Sequence, residues 1–433
     1  MPNFIFLPLL GFLVIFSCLA YGSVTIFPLT VIEIVIGLFI LSWLLEMAAK
    51  KQLSFVKTGF FLPIAFFLVV VSFQLVPLPL SFIKLISYNS ARLYETLIPG
   101  NSRINLFPLS ICPNSTISEL LKLISFIGIF FFIINKIERK KDLDIAINFI
   151  IFFGLLVSIY ALIKKFAYPE RIGFGPFVNR NNFAGYINMI IPLALGYFLT
   201  DMPLSKRLVY AFSVAIMTLA LFLTLSRAGI LVYILVLLLI LFFSRFKKTL
   251  KTKTGTLIIW ALTTVCLFIL FLEANIVWQR LITLLKKETY IVFGHGYSWL
   301  DVLRIWRDFP IFGTGLGTFR SISSMYKTTT MQYLFTYAHN DYLQLLSEVG
   351  FIGFFLIALF FLKYFKSITG NWLKRQDSFV TCLVLGGVSS IIGTLVYSVL
   401  DFNLQIPANT LLFFIIMGLV YRLTLLRVKN AES

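Results

Sequence analysis

The chain has 433 residues, of which 59% are hydrophobic and only 13% are charged. This composition excludes a soluble globule with a polar surface and predicts an all-α polytopic membrane protein. The net charge of +19 could suggest a nucleic-acid partner, but the basic residues stand in short clusters between apolar runs. Such clusters carry information about membrane topology, so we expect membrane lipids and no nucleic acid among the partners.

Apolar runs of about 20 residues, long enough to cross the hydrocarbon core of a membrane, recur along the whole chain. No basic region precedes the first run, which we therefore expect to be retained as a span. No internal repeat or soluble domain is evident, so residues 1–433 are predicted to form a single transmembrane domain. We predict about twelve transmembrane helices, near residues 4–22, 25–45, 58–76, 117–135, 145–165, 183–199, 208–225, 229–243, 256–273, 341–362, 379–399 and 406–421.

Clusters of lysine and arginine lie in alternate gaps between these runs, near residues 50–57, 136–141, 206–207, 245–253, 363–375 and 422–429. The positive-inside rule places these gaps, and both termini, in the cytoplasm. The long segments 77–116, 166–182 and 274–340 then face the other side. The largest of them, between the predicted spans 9 and 10, is too long to be a simple connector.

Within this largest segment, one stretch has the pattern of an amphipathic helix. Its apolar residues recur at helical spacing, namely Trp299, Val302, Leu303 and Trp306. The charged residues Asp301, Arg304 and Asp308 fall on another face. We expect a helix that lies on the membrane or covers the spans.

The sequence carries no signature of a disulfide framework or of a cofactor. Cys18, Cys266 and Cys382 lie in apolar runs, and only Cys112 lies in a loop. There is no phosphate-binding loop, no Asp-x-Asp pair on the outer side and no His/Cys cluster of metal-ligand spacing. We therefore expect neither a metal nor another cofactor.

Three arginines, Arg171, Arg180 and Arg227, stand at the outer mouths of predicted spans, where a charge is costly unless an anion or a carboxylate receives it. A guanidinium held there by the fold suits forked contacts with phosphate oxygens. For Arg227, in the short outer turn TLSRAGIL, two other roles are open. Its side chain could reach lipid headgroups, or it could pair with an acidic neighbour such as Asp401.

The segment 171–186, RIGFGPFVNRNNFAGY, joins the predicted fifth and sixth spans. Its Gly and Pro residues break any helix, and Asn179, Asn181 and Asn182 are suited to cap the helix that follows. Broken backbone at a membrane edge is tolerated where it lines a wet cavity. An ordinary capped turn explains the asparagines but not the two arginines of the segment.

The stretch 337–353, YAHNDYLQLLSEVGFIG, places a polar cluster at the start of a long apolar helix. His339 is one of only two histidines in the chain. Because imidazole titrates near neutral pH, this residue suits a general base that takes a proton from a sugar hydroxyl. A hydrogen-bonded structural histidine at a helix entry is the alternative.

Other residues of this stretch have structural explanations as well. Asp341 can be a first-turn acidic residue favoured by the helix dipole, and Glu348 a bundle-facing carboxylate paired with a neighbour. Gly350 and Gly353 are expected to let neighbouring helices approach closely. The second histidine, His295 in GHGYSW, could be a further polar contact or a surface residue of the loop.

The spacing His-Asn, nine residues, Gly, two residues, Gly resembles that of the bacterial O-antigen ligase family and its polymerase relatives. Three other stretches resemble the same superfamily in order and spacing: GPFVNRNNFAGYINMIIPLALG, the Arg-x3-Leu of Arg227 to Leu231, and DFPIFGTGLGTF. The sequence SVLDFNLQIPAN near the last span is also similar. The resemblance covers roughly residues 170–420.

The resemblance implies a metal-independent, inverting glycosyl transfer on the periplasmic side of the bacterial inner membrane. A ligase would pass a glycan from undecaprenyl diphosphate to a sugar hydroxyl of the lipid A-core of lipopolysaccharide. His339 would be the base and Arg227 would bind the diphosphate, with Arg171 and Arg180 as further contacts. Supporting roles would fall to Asn340, Asp341, Asn179, Asn182 and Asp401.

The chain departs from this family at one position. Many relatives have an arginine four residues before the loop tryptophan, where this chain has His295. If that arginine holds the diphosphate, then protonated His295, Arg304 or Arg320 takes over its role here.

Two other functions are compatible with part of these observations. A polymerase that extends the glycan on its own lipid carrier would use the same motifs. An anion transporter with the three outer arginines along its path would show two matched halves and helices broken near the middle of the bilayer. The sequence indicates neither of these transporter features.

Overall fold

The structure, a computed structural model, describes residues 3–51, 55–97, 106–168, 173–244, 295–328 and 336–426. These residues form fifteen α-helices and one pair of two-residue antiparallel strands, β1 (Leu78–Pro79) and β2 (Leu106–Phe107). The helices are α1 (Asn3–Leu19), α2 (Ile26–Ala49), α3 (Phe61–Phe73), α4 (Leu80–Ile86), α5 (Tyr88–Leu97), α6 (Pro113–Lys136), α7 (Lys140–Ala167), α8 (Arg180–Phe198), α9 (Leu204–Leu223), α10 (Arg227–Ser244), α11 (His295–Asp308), α12 (Phe319–Tyr326), α13 (Asp341–Leu373), α14 (Ser378–Leu400) and α15 (Pro407–Leu425).

Eight of the described helices are long and apolar enough to cross a membrane, namely α2, α6, α7, α9, α10, α13, α14 and α15. Helices α1 and α3 are apolar but shorter. This agrees with the predicted helical polytopic membrane protein. The predicted span 183–199 is helix α8, which is not among the eight, and the predicted span 256–273 lies outside the described residues.

The centre of the bundle is built around α8, whose residues 182–198 are all buried. Helix α14 crosses α8 closely, since a Cβ on Gly386 would lie 2.2 Å from the carbonyl oxygen of Pro192. A proline inside a helix cannot donate to the preceding turn. Ser390 Oγ of α14 donates to the carbonyl oxygen of Met189 at 2.7 Å, which pairs one backbone group of the turn before the proline.

Helix α13 is broken at Gly350, whose backbone angles of φ 63° and ψ −170° are far from helical. A Cβ at this position would lie 2.2 Å from the carbonyl oxygen of Ile311, so both the positive φ and the close approach require glycine. The sequence predicted that this glycine lets a neighbouring helix approach. A loop approaches there instead, and it divides α13 into two parts. The part before the break, residues 341–349, is called the outer half-helix after the predicted topology, and the inner part is residues 351–373.

The loop that enters the break, residues 310–318, is called the strap below. The N–H groups of Thr314 and Gly315 donate to the carbonyl oxygens of Ser347 and Glu348, at 3.0 and 2.9 Å. Backbone groups freed by the break are therefore paired within the protein. The sequence did not indicate a broken helix, and in the structure the strap fills the break.

The predicted amphipathic helix is present as α11, which buries Val302 and Ile305 in a small apolar cluster with α12. Asp301, predicted to lie on a charged face apart from the apolar residues, is buried, with 6% of its surface exposed. Its carboxylate accepts a hydrogen bond from Thr328 Oγ1 at 2.9 Å and pairs with Arg304 Nη1 at 3.2 Å. These partners compensate for the cost of burying the Asp301 carboxylate.

Candidate active site

Three helices, α8, α10 and α13, begin close together, and each has a side-chain cap on its first turn. Asn179 Oδ1 accepts from the N–H of Asn181 at 2.9 Å, and Ser226 Oγ accepts from the N–H of Gly229 at 3.2 Å. Asn340 Oδ1 accepts from the N–H groups of the second and third residues of α13, Tyr342 and Leu343, both at 3.0 Å. The positive ends of three helix dipoles therefore point toward one region, which favours the binding of an anion.

His339 immediately precedes the cap of α13 and holds a left-handed backbone conformation, with φ 52°. Its side chain is 26% exposed, and its Nδ1 lies 3.1 Å from Oδ1 of Asp401. The ring of Phe402 packs edge-on against the imidazole, with 4.7 Å between centroids. Imidazole orientation is thus fixed from two sides, by a carboxylate and by an aromatic ring.

Asp401 follows the C-terminus of α14, and its side chain is only 4% exposed. Its Oδ1 also accepts from the N–H of Phe402 at 2.9 Å, and its Oδ2 accepts from Asn181 Nδ2 at 2.9 Å. From the sequence, Asp401 was a candidate partner of Arg227 and a supporting residue of the site, and the carboxylate that orients His339 was left open. In the structure this carboxylate joins the histidine of α13 to the N-terminus of α8.

Tyr397, one turn earlier on α14, connects the third helix to this group. Its hydroxyl donates to the carbonyl oxygen of Asn181 at 2.8 Å and lies 3.1 Å from Ser226 Oγ, at the cap of α10. Arg180 and Arg227 are the first residues of α8 and α10. Arg180 therefore starts a helix that is hydrogen-bonded to Asp401 through Asn181. Arg227 starts a helix that is joined to Tyr397 through Ser226.

The other predicted cationic residues are not joined to this group by any described contact. Arg304 pairs with Asp301 inside α11, as described above. His295 is the first residue of α11, but its side chain lies outside the described part of the chain, as does the whole of Arg171. Arg320, the remaining alternative, is exposed on α12.

The supporting polar residues proposed from the sequence take mainly structural positions. Asn340 and Asn179 are helix caps. Asp341 is buried, and its Oδ2 accepts from the N–H of Leu404 at 3.0 Å. Asn182 is buried as well, and its carbonyl oxygen accepts from Asn409 Nδ2 at 3.0 Å.

Several residues of the site were not singled out from the sequence. Tyr397 directly precedes the stretch SVLDFNLQIPAN and Phe402 lies in it, but neither was named as a site residue. Tyr337 stacks on Phe402 with 4.6 Å between ring centroids, two residues before His339. Burial raises the pKa of the Tyr337 phenol, so this residue is a neutral aromatic wall of the site. Asn181 was named from the sequence only as one of three asparagines suited to cap α8, and in the structure it lies in the first turn of that helix.

Chemically, the group offers an oriented imidazole, a buried carboxylate and positive charge at helix starts. Such a set suits proton abstraction beside a bound anion. Among the described residues, no three His, Cys, Asp or Glu side chains are grouped so that they could hold a metal ion.

Comparison with known proteins agrees with the motif spacing. Residues 212–358 match the family model described as O-antigen ligase. This range includes Arg227, the strap and His339. A search of curated proteins gives no significant match to the chain. The resemblance predicted from the motifs is confirmed over residues 212–358, where the chain is similar to the O-antigen ligase domain.

Proposed function

We propose that this protein is a membrane glycosyltransferase of the O-antigen ligase type, which moves a glycan from undecaprenyl diphosphate to a sugar hydroxyl of the lipid A-core. The observation that carries the proposal is the 3.1 Å contact between His339 Nδ1 and Asp401, at the start of three capped helices. The family match over residues 212–358 supports the class of reaction.

In this proposal, His339 is the general base. With Nδ1 donating to Asp401, the lone pair lies on Nε2, and the carboxylate stabilises the imidazolium that forms. Nε2 takes the proton of the acceptor hydroxyl while its oxygen attacks the anomeric carbon of the donor glycan. The bond from that carbon to the diphosphate oxygen breaks, undecaprenyl diphosphate leaves with the electron pair, and the anomeric configuration inverts.

Arg227 and Arg180 would bind the diphosphate, on which negative charge increases as the bond breaks. Both begin helices whose positive dipole ends face the same region, so the fixed dipoles and the guanidinium groups act in the same direction. The left-handed backbone at His339 is a strained conformation for a residue other than glycine, and such strain is common where a site must hold one geometry.

The topology proposed for this reaction has twelve spans, cytoplasmic termini and a large outer loop that includes residues 295–328. The basic clusters of the sequence support this orientation through the positive-inside rule. The donor would reach the site from the outer leaflet of the inner membrane.

The experiment is glycan transfer by the purified full-length chain in lipid nanodiscs, with a lipid-linked donor. For His339→Ala we expect turnover to fall by about 10²–10⁴-fold, the usual contribution of a general base. Tyr210→Phe, which alters a hydroxyl of α9 far from the site, is the control and keeps normal turnover. Full transfer by the alanine variant would remove His339 from the mechanism.

The same preparation distinguishes a ligase from a polymerase. With lipid A-core present, a ligase yields glycan attached to the core. A polymerase instead lengthens the chain on undecaprenyl diphosphate and ignores the core acceptor. If the chain is lengthened instead, the proposed acceptor is wrong, but the proposed role of His339 as base is unaffected.

A further inference from the structure

Gln74 follows the C-terminus of α3, and its side chain makes three hydrogen bonds beneath the strap, although it lies in the N-terminal third of the chain. It is 1% exposed. Its Nε2 donates to the carbonyl oxygens of Phe312 at 2.6 Å and Glu348 at 2.9 Å. Its Oε1 accepts from the N–H of Leu316 at 3.1 Å. The side chain thus joins the strap at two points to the end of the outer half-helix.

The chemistry of this position requires a side-chain amide. Two carbonyl oxygens and one N–H group face Gln74, so the partner must offer two donors and one acceptor from a single planar group. A glutamate would keep the acceptor and lose both donors, and a methionine would fill the space without any hydrogen bond. Without the amide, the carbonyl oxygen of Phe312 and the N–H of Leu316 would lose this partner, whereas the carbonyl oxygen of Glu348 would keep the N–H of Gly315.

The side chain of Glu348 holds the same half-helix from its other side. Its carboxylate accepts from the N–H groups of Gly317 at 2.8 Å and Phe319 at 3.2 Å, at the start of α12. Gln344, one turn earlier on the half-helix, donates to the same carboxylate at 3.2 Å. The inner end of the outer half-helix is therefore fixed by hydrogen bonds and not by continuous helix.

The opposite end of this half-helix carries the proposed base. Asn340 caps it, and His339 precedes the cap with its imidazole 3.1 Å from Asp401. Because a half-helix of nine residues moves as a unit, a shift at its inner end also displaces the imidazole. A misplacement of about 1 Å in a catalytic group can lower a rate by about 100-fold.

We propose that Gln74 is a positioning residue for sugar transfer: through the broken end of α13 it fixes the height and rotation of the half-helix that presents His339 to Asp401. The inference rests on the proposed role of His339 as base. Gln74 itself lies beneath the strap and does not touch the substrates.

The test uses the full-length protein in nanodiscs and separates kcat from KM for the lipid-linked donor. For Gln74→Met we expect kcat to fall by about 10–100-fold with KM changed by less than about threefold, because the proposed diphosphate ligands, Arg180 and Arg227, begin α8 and α10 and are not part of the half-helix. Gln74→Glu, which keeps the length and the acceptor, is the second variant and should show the same separation.

Asn135→Leu is the matched control. It removes two hydrogen bonds of a partly buried amide on α6, to the N–H of Val56 and the carbonyl oxygen of Phe131, and it should leave kcat unchanged. Thermal unfolding of each variant shows whether the protein remains folded. Normal kcat in folded Gln74→Met and Gln74→Glu would overturn the inference.

A double variant distinguishes positioning from general packing. If Gln74 acts by holding His339 against Asp401, then Gln74→Met adds little to the loss already caused by Asp401→Asn. Losses that multiply would contradict this route. Failure of the base assignment would instead appear as full activity in His339→Ala, an outcome that is independent of any Gln74 variant.

Discussion

Two polar clusters of similar composition lie at different places in this bundle. The outer cluster consists of His339, Asp401, Asn181, Tyr397 and Ser226, described above as the candidate active site. The inner cluster contains an aspartate, an asparagine and two tyrosines on α7, α8 and α9. The two clusters share residue types, so their differences indicate which features relate to function.

The inner cluster is a closed network within helices. Tyr197 donates to Asp144 Oδ1 at 2.6 Å and accepts from Asn148 at 3.0 Å, and Tyr210 donates to Asn148 Oδ1 at 2.6 Å. The two tyrosine rings stack with 4.7 Å between centroids. Every one of these side chains has a partner, which is the pattern of a brace between helices.

The outer cluster is built on the ends of helices. His339 and Asn181 lie at helix starts, and Asp401 follows a helix end. The backbone of His339 also has a left-handed conformation, which is strained for a residue other than glycine. The comparison shows that residue types alone do not identify such a site. Its features are helix ends and strained backbone.

The largest loss of activity is expected from Asp401→Asn, which tests the difference between the two clusters. The amide keeps the size of the side chain but can present its NH₂ to Nδ1, which favours the wrong imidazole tautomer and removes the negative charge. We expect kcat to fall by about 10²–10³-fold with KM for the donor nearly unchanged. Asp144→Asn is the matched change in the inner cluster. Equal losses from both would mean that the outer carboxylate has no special role.

A smaller loss, in kcat/KM and not in kcat alone, is expected from Arg227→Lys. Lysine keeps the charge but cannot make two parallel contacts with phosphate oxygens. We expect kcat/KM to fall by about 10–100-fold. Arg207→Lys, near the start of α9, is the control. If the lysine variant has normal kinetics, the contribution of Arg227 is charge alone.

Tyr397→Phe should have a modest effect, since it removes only the hydroxyl that links α8 to α10. The carbonyl oxygen of Asn181 and Ser226 Oγ each lose a partner. We expect turnover to fall by a few-fold, and stability by about 1–3 kcal/mol. Activity assays and thermal unfolding on the same sample measure the two effects. A variant with unchanged stability would show that this bond does not couple the helices.

The smallest effect on activity is expected from Tyr197→Phe in the inner cluster. It removes a hydrogen bond to Asp144, so stability should fall by about 1–3 kcal/mol while turnover remains within about twofold of normal. A loss of turnover as large as that of Asp401→Asn would instead show that the inner cluster takes part in catalysis.

Much of the helical architecture could be predicted from the sequence because hydropathy and charge clusters act locally. Ten predicted spans coincide with the eight long apolar helices and the two shorter ones. The capping role of Asn179 and the helix start at Asn340 also follow from residue type. The break at Gly350 could not be predicted, since a glycine between apolar residues is equally typical of close helix packing.

The site was predicted only in part, because motifs are local whereas the site depends on contacts between distant segments. His339 and Arg227 stand in motifs, whereas the link between them depends on contacts between distant segments. Asp401 is 62 residues from His339 along the chain and 220 from Asn181. Gln74 is 274 residues from Glu348, in a third of the chain where only hydropathy was informative. Such pairings arise from tertiary packing, which no local pattern encodes.

The central claim is that the diphosphate of the donor binds at the outer cluster, and photolabelling tests it most directly. A polyprenyl diphosphate with a photoreactive group beside its phosphates would be crosslinked to the protein in nanodiscs, and the labelled peptides identified by mass spectrometry. The account predicts labels close to Arg180, Arg227 and His339, which are lost when excess unlabelled donor competes. Labels confined to the inner cluster, around Tyr197 and Tyr210, would contradict it.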